Sequence, residues 1–286
     1  MEHSKLVAFS LKCNACSRAW SITEEDFEKG IIKCQDPECG NEFTVYEGIK
    51  NGLKAEENII PNPFLANDMI IDNIKIRIGY TYTFELPENV SKVYKIQLFP
   101  FGPFLAGVTE ISKNNFQIFT SLPNGSDSSQ VGNESSVMLL VNAKTDDYEE
   151  PWLHFLSYAY DHYLSNDFLT SIMLSEIAFE TYVDKTLTAE YLNRGLDEDS
   201  VYRLLKATDM YQKVNPLMCN LYGAKLKSCK QWPDWSKRVL EWRNQIAHGT
   251  KKTATKEEAL LAYQTIVDCI FYFVEAVDRY NKKISN

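Results

Sequence analysis

Two hydrophobic periods divide the chain. Between residues 68 and 144, short runs rich in β-branched and aromatic residues alternate with turn residues, the pattern of half-buried strands. The runs are Ile70 to Phe84, Val93 to Phe99, Phe104 to Ile111, Phe116 to Thr120 and Val137 to Val141. Turns at Leu86 to Asn89, Pro100 to Pro103 and Asn114–Asn115 separate them. Five or six strands at this spacing predict a small antiparallel, β-sandwich-like domain over 68–144. Pro123 to Ser136 is polar and Gly/Ser-rich and reads as a mobile loop.

From Pro151 the period lengthens to that of helices. Trp152 to Leu164 is aromatic-rich. Phe168, Ile172, Phe179, Tyr182 and Leu187 form the stripe of a second helix, and Val201 to Lys225 reads as a third, broken at Pro216. Trp235, Val239, Trp242 and Ile246 recur at i, i+4, i+7 and i+11, so Trp235 to His248 reads as a fourth helix with one buried apolar face. Tyr263, Ile266, Ile270, Val274 and Val277 mark a last helix over Thr255 to Tyr280. Short links between five helices predict an antiparallel bundle over 150–286.

The N-terminal stretch follows neither period and is organised by cysteine. Cys13 and Cys16 are spaced C-x2-C, and after 17 residues Cys34 and Cys39 follow as C-x4-C. Two such turns supply four thiolates to one tetrahedral ion, which predicts a structural zinc ribbon over 1–48 with no open catalytic position. Aromatic residues after each knuckle (Trp20, Phe27, Phe43, Tyr46) and Gly40 beyond the last cysteine fit that reading. A ribbon of this size needs its metal to fold. Residues 49–67 read as a linker containing Gly52, Pro61 and Pro63, and Thr145 to Glu150 as an acidic connection.

Composition is 44% hydrophobic and 24% charged, which sets a globular chain apart from a disordered one. Residues 1–12 carry no secretory or transit pattern, and charges interrupt the apolar runs early, so a cytoplasmic protein without a membrane span is expected. The odd total of seven cysteines, four of them clustered, fits a reducing compartment. The net charge of −9 lies entirely in residues 1–150, whereas the window from Lys225 to Lys256 carries +7. An acidic protein with a local basic patch can bind an anion or nucleic acid there. The cations Lys237, Arg238, Lys251 and Lys252 are candidate substrate contacts.

That window surrounds Arg243, Asn244 and His248, the densest chemistry in the chain. Asn244 and His248 share a helical face, whereas Arg243 and His248 point about 140° apart on one helix. Gly249 is a natural helix stop. Read alone, His248 is a helix-end residue near the last carbonyls and Arg243 a surface charge.

In its bundle context, the C-terminal half resembles the HEPN superfamily. The resemblance rests on Arg243-Asn244-x-x-x-His248 on a late helix, on Ile177-Ala178-Phe179-Glu180 in an earlier helix, and on a final helix after a Lys/Thr-rich link. It covers nothing before residue 150. It implies a metal-independent endoribonuclease acting as a homodimer, with two motifs meeting in one composite site. His248 would be the general acid or base, Arg243 the phosphate clamp, Asn244 an orienting group, and Glu180 a residue facing the site. The family also implies an antiviral or toxin-type role, with the ribbon and β domain as sensor, targeting or restraint modules. Two other readings stay open. One is a non-catalytic dimerisation or nucleotide-binding protein with a zinc-ribbon adaptor. The other, a toxin neutralised by nucleotidylation, is weakened because Gly249-Thr250 rather than a tyrosine follow the motif.

Overall fold

The computed structural model describes residues 10–21, 24–54, 68–145 and 150–285. The chain folds as two units: Met1–Glu57 together with Tyr148–Asn286, and, inserted between them in sequence, Asn58–Asp147. Most of the expected linker, 55–67, and most of the acidic connection, 146–149, lie outside the described residues.

The N-terminal part is built from two short hairpins. Strands β1 (Ser10–Lys12) and β2 (Ala19–Ser21) pair antiparallel, as do β3 (Ile31–Lys33) and β4 (Glu42–Thr44), with helix α1 (Glu24–Lys29) between. The residue after each cysteine pair is left-handed: Ser17 at φ 61° and Gly40 at φ 62°. This turns the chain back, so that the Cys13 N–H donates to Arg18 O at 2.9 Å and the Cys34 N–H to Asn41 O at 2.8 Å.

Helix α2 (Val45–Leu53) follows, which corrects the linker boundary: residues 49–53 are helical. A capping box starts it. The Thr44 hydroxyl accepts from the Glu47 N–H at 3.1 Å, and the Glu47 carboxylate accepts from the Thr44 N–H at 2.8 Å. Gly48 lets α2 close on the hairpins, because a Cβ there would stand 2.6 Å from Leu11 Cδ2 and 2.8 Å from Phe43 Cε2.

The inserted unit contains two three-stranded antiparallel sheets. Strands β5 (Asp68–Arg77), β6 (Thr81–Glu85), β7 (Val90–Pro100), β8 (Leu105–Ser112), β9 (Asn115–Ser121) and β10 (Glu134–Thr145) are ordered β5-β10-β7 and β6-β9-β8. Alternate residues face inward from both sheets: Leu139, Val141 and Ala143 of β10 meet Phe116 of β9, with Phe84 stacked on Phe116 at 5.4 Å. The Gly/Ser-rich stretch holds a turn of 3-10 helix at Ser128–Gln130, capped by Asp127, and β10 begins inside its expected end.

The helical part comprises α3 (Pro151–Leu164), α4 (Phe168–Asn193), α5 (Glu198–Ala207), α6 (210–222), α7 (232–247) and α8 (Lys256–Ser285). Trp152, Tyr160, Phe179, Trp235, Tyr263, Phe271 and Phe273 fill its core without exposure. The expected break at Pro216 falls instead at Thr208, where Asp209 caps the next helix by accepting from the Gln212 N–H at 2.8 Å. Pro216 lies within a π-turn, Lys213–Leu217, whose wider ring accommodates the missing N–H.

Helix α8 is, over Lys256–Ile284, long and apolar enough to cross a bilayer by length and composition alone. Most of its apolar surface is nevertheless buried here. Residues Ile266, Val267, Ile270, Phe271 and Phe273 are fully enclosed. It also docks α2: the Tyr263 hydroxyl donates to Leu53 O at 2.8 Å, and Lys54 pairs with Asp268 at 2.8 Å.

Candidate functional site

The Arg243–His248 segment is positioned by the buried start of α7. A π-turn, Trp235–Val239, turns Trp235 and Val239 into the core at no exposure. Beyond it the helix rises to the surface. Trp242 and Ile246 are only partly buried, so the expected apolar face is enclosed at its first half alone.

Trp235 Nε1 donates to both carboxylate oxygens of Glu176 in α4, each at 3.1 Å. Glu176 is entirely enclosed. Burial pushes its carboxyl up to about 8 and the charge of Glu180 adds to that push, while the Trp235 hydrogen bonds and the Arg243 charge oppose it. One turn along α4, Glu180 pairs with Arg243 Nη2 at 3.1 Å. Arg243 Nη1 approaches Asn244 Oδ1 at 3.4 Å, and Arg243 Nε is buried without a hydrogen-bond partner among the described residues. Two carboxyls, one indole and one guanidinium thus form a contiguous polar group between α4 and α7.

His248 closes the helix. Its N–H donates to Asn244 O at 2.9 Å, and Gly249 takes φ 70° and donates to Ile246 O at 2.9 Å. The imidazole is exposed. The side chain of Asn244, expected to orient His248, touches Arg243 instead.

The basic window is partly neutralised. Arg238 pairs with Asp234 at 3.1 Å, and Lys251 pairs with Glu258 at 2.9 Å while covering the Trp242 ring at 5.5 Å. Lys237 and Lys252 are exposed and have no carboxylate partner among the described residues. Glu180, a candidate substrate contact, is the counter-charge of Arg243.

Glu176 and Trp235 were not singled out as site residues from sequence. Ile172, Glu176, Phe179 and Val183 fall on one helical stripe, so an acid at a core position was the available signal. His154 and His162 lie elsewhere: His154 packs edge-on to Tyr158 at 4.4 Å, and His162 Nδ1 meets Asp167 at 3.0 Å.

The four N-terminal cysteines form a second centre. Their Sγ atoms all lie within 4.8 Å of one another. Cys13–Cys39 and Cys16–Cys34 are 3.8 and 3.5 Å apart, against about 3.8 Å between thiolates on a tetrahedral ion with 2.3 Å bonds. The N–H groups of Ala15 and Asp36 donate to Cys13 and Cys34 at 3.4 Å each, the polarity thiolates require. Burial disfavours the Cys13 thiolate, but amide donors from Cys16, Ala15 and Asn41 outweigh it and hold that thiol down at about 6. Burial, reinforced by the neighbouring thiols, pushes Cys34 up to about 12. Four thiolates in this space therefore need a cation, and the donor set fits a metal ion.

Comparison with family models, with curated proteins and with solved structures yields no match to this chain.

Proposed function

We propose that the helical unit is a HEPN-type bundle and that the chain is a metal-independent endoribonuclease, with Arg243 and His248 at its centre. The observation that carries this reading is the exposed His248 at the end of α7. It lies on the same short segment as a guanidinium held by Glu180, within a surface that retains unpaired lysines. In this mechanism one His248 imidazole takes the proton of a ribose 2′-OH. The 2′-oxygen bonds to phosphorus, the P–O5′ bond breaks, and the second His248 of a homodimer protonates the leaving oxygen. The products are a 2′,3′-cyclic phosphate and a 5′-hydroxyl. Arg243 keeps Nη2 on Glu180 and offers Nη1 to the phosphate as charge builds on it. Because Arg243 and His248 diverge on one helix, the two motifs of a dimer supply one site. The four cysteines hold structural Zn2+, which takes no part in cleavage. The protein acts in the cytoplasm as an antiviral or toxin-type effector, and its ribbon and β-sandwich restrain or direct it.

The Arg243–Glu180 pair favours a second reading, a non-catalytic bundle for dimerisation or nucleotide binding, because the guanidinium already has a partner. One assay separates the two. Purified protein is incubated with total RNA in EDTA beside His248→Ala and Arg243→Ala. Cleavage by the wild type alone, ending in cyclic phosphates, supports the nuclease. Intact RNA at high protein concentration supports the binding protein, and a strict monomer in solution overturns the composite site.

A further inference from the structure

Upstream of the motif, α6 and α7 place an aromatic cluster beside unpaired cations. Tyr211 lies edge-on to Trp232 at 5.4 Å, and Trp232 leans on Trp235 at 5.5 Å. Lys227, exposed between α6 and α7, holds its ammonium 4.7 Å from the Tyr211 ring centre and 5.9 Å from that of Trp232. Tyr211 is 43% exposed, and Trp232 is partly open. Lys227 and Lys230 have no carboxylate partner among the described residues, unlike Arg238. The cluster leads inward to Trp235, whose indole carries Glu176. Trp232 is eleven residues before Arg243, on the order of 16 Å along a helix.

We propose that Tyr211, Trp232 and Lys227 form a subsite for unpaired nucleobases of single-stranded RNA, with Lys227 and Lys230 taking the adjoining phosphates; it rests on the nuclease reading and names its substrate as single-stranded. Three features select this ligand. Tyr211 is 43% exposed beside the Lys227 ammonium, and an exposed aromatic ring stacks a base regardless of sequence. An ammonium held against rings rather than a carboxylate keeps its charge available to phosphate. The bases of a duplex are stacked internally and cannot reach the rings, which excludes paired RNA. The cluster also lies on the segment that carries the reacting groups, so a strand anchored at Tyr211 can run along α7 toward Arg243.

The test uses full-length His248→Ala protein, which retains bound strands, and fluorescence anisotropy at one fixed salt concentration. The probes are a labelled single-stranded oligoribonucleotide, an abasic oligomer of equal charge, and a duplex. Tighter binding of the single strand than of either control is expected. Tyr211→Ala should weaken it between about 5- and 100-fold, whereas Tyr211→Phe, which keeps the ring, should restore it. Equal affinity for abasic and base-bearing strands overturns the subsite, as does an unchanged affinity of a folded Tyr211→Ala or the absence of any binding. Wild-type cleavage together with any of these results leaves the nuclease standing without this subsite. Base-dependent binding lost in Tyr211→Ala, with no cleavage by the wild type, leaves the subsite standing without the nuclease.

Discussion

Glu176 is a carboxylic acid with no exposure to solvent. It accepts two hydrogen bonds from one indole and sits in the field of Glu180 and Arg243. Its carboxyl rises from 4.5 to about 8 on folding, so the folded state holds a proton the unfolded chain releases. The stabilisation is therefore full below pH 4.5 and is lost as pH rises toward 8. Glu176→Gln mimics the neutral acid. Its melting temperature should match wild type near pH 5 and exceed it near pH 8.5, with the gap growing by at most about 1.4 kcal/mol per pH unit. Parallel melting curves of the two proteins across that range would refute the account. This site was legible only in part. Arg243, Asn244 and His248 are neighbours in sequence, so their type and spacing could be read directly. The partner of Glu176 lies 59 residues away on another helix, and no local pattern connects them.

Among elements, the strands were the most legible. Alternation and turn residues are local signals: four of the expected runs fall on single strands to within a residue, while Ile70 to Phe84 divides into β5 and β6 at a turn over 78–80. Helix α2 was hidden because Gly48 and Gly52 weaken its intrinsic preference; tertiary contacts and a capping box hold it instead. The break at Thr208 was missed because proline is the louder signal, although a π-turn absorbs it and the Asp209 cap sets the boundary. Gly48→Ala tests the role of close approach in α2. Alanine adds about 1 kcal/mol of helix preference. Its methyl, however, would press on the buried Leu11 and Phe43 side chains, and overpacking of this kind costs about 1–3 kcal/mol. Thermal unfolding should show a net loss of up to about 2 kcal/mol; a stabilised variant would mean the hairpins yield.

On the scale of the molecule, the four-cysteine region belongs with the helical unit, and the two-sheet unit has its own core. A strong chelator, by removing the metal proposed for these cysteines, should therefore act unevenly. The site contributes on the order of 10 kcal/mol to small zinc-dependent folds, so its loss should disorder the region around Trp20 and lower the stability of the helical unit through α2. Residues 58–147 produced alone should keep the β-type circular dichroism and a melting transition unaffected by chelator. A transition of that fragment that moves with chelation would show that the division is not an energetic one.

The docking of α2 on α8 also has a consequence for biosynthesis. The Leu53 carbonyl and the Tyr263 hydroxyl that binds it are 210 residues apart. At about 5–20 residues per second, the ribosome delivers the second group roughly 10 to 40 s after the first. During that interval the hairpins and the inserted sheets can form, but the apolar side of α2 lacks its final cover. Helix α8, made after the motif, completes the unit bearing Arg243 and His248, so a translation product interrupted before it would carry the motif without the scaffold that positions it.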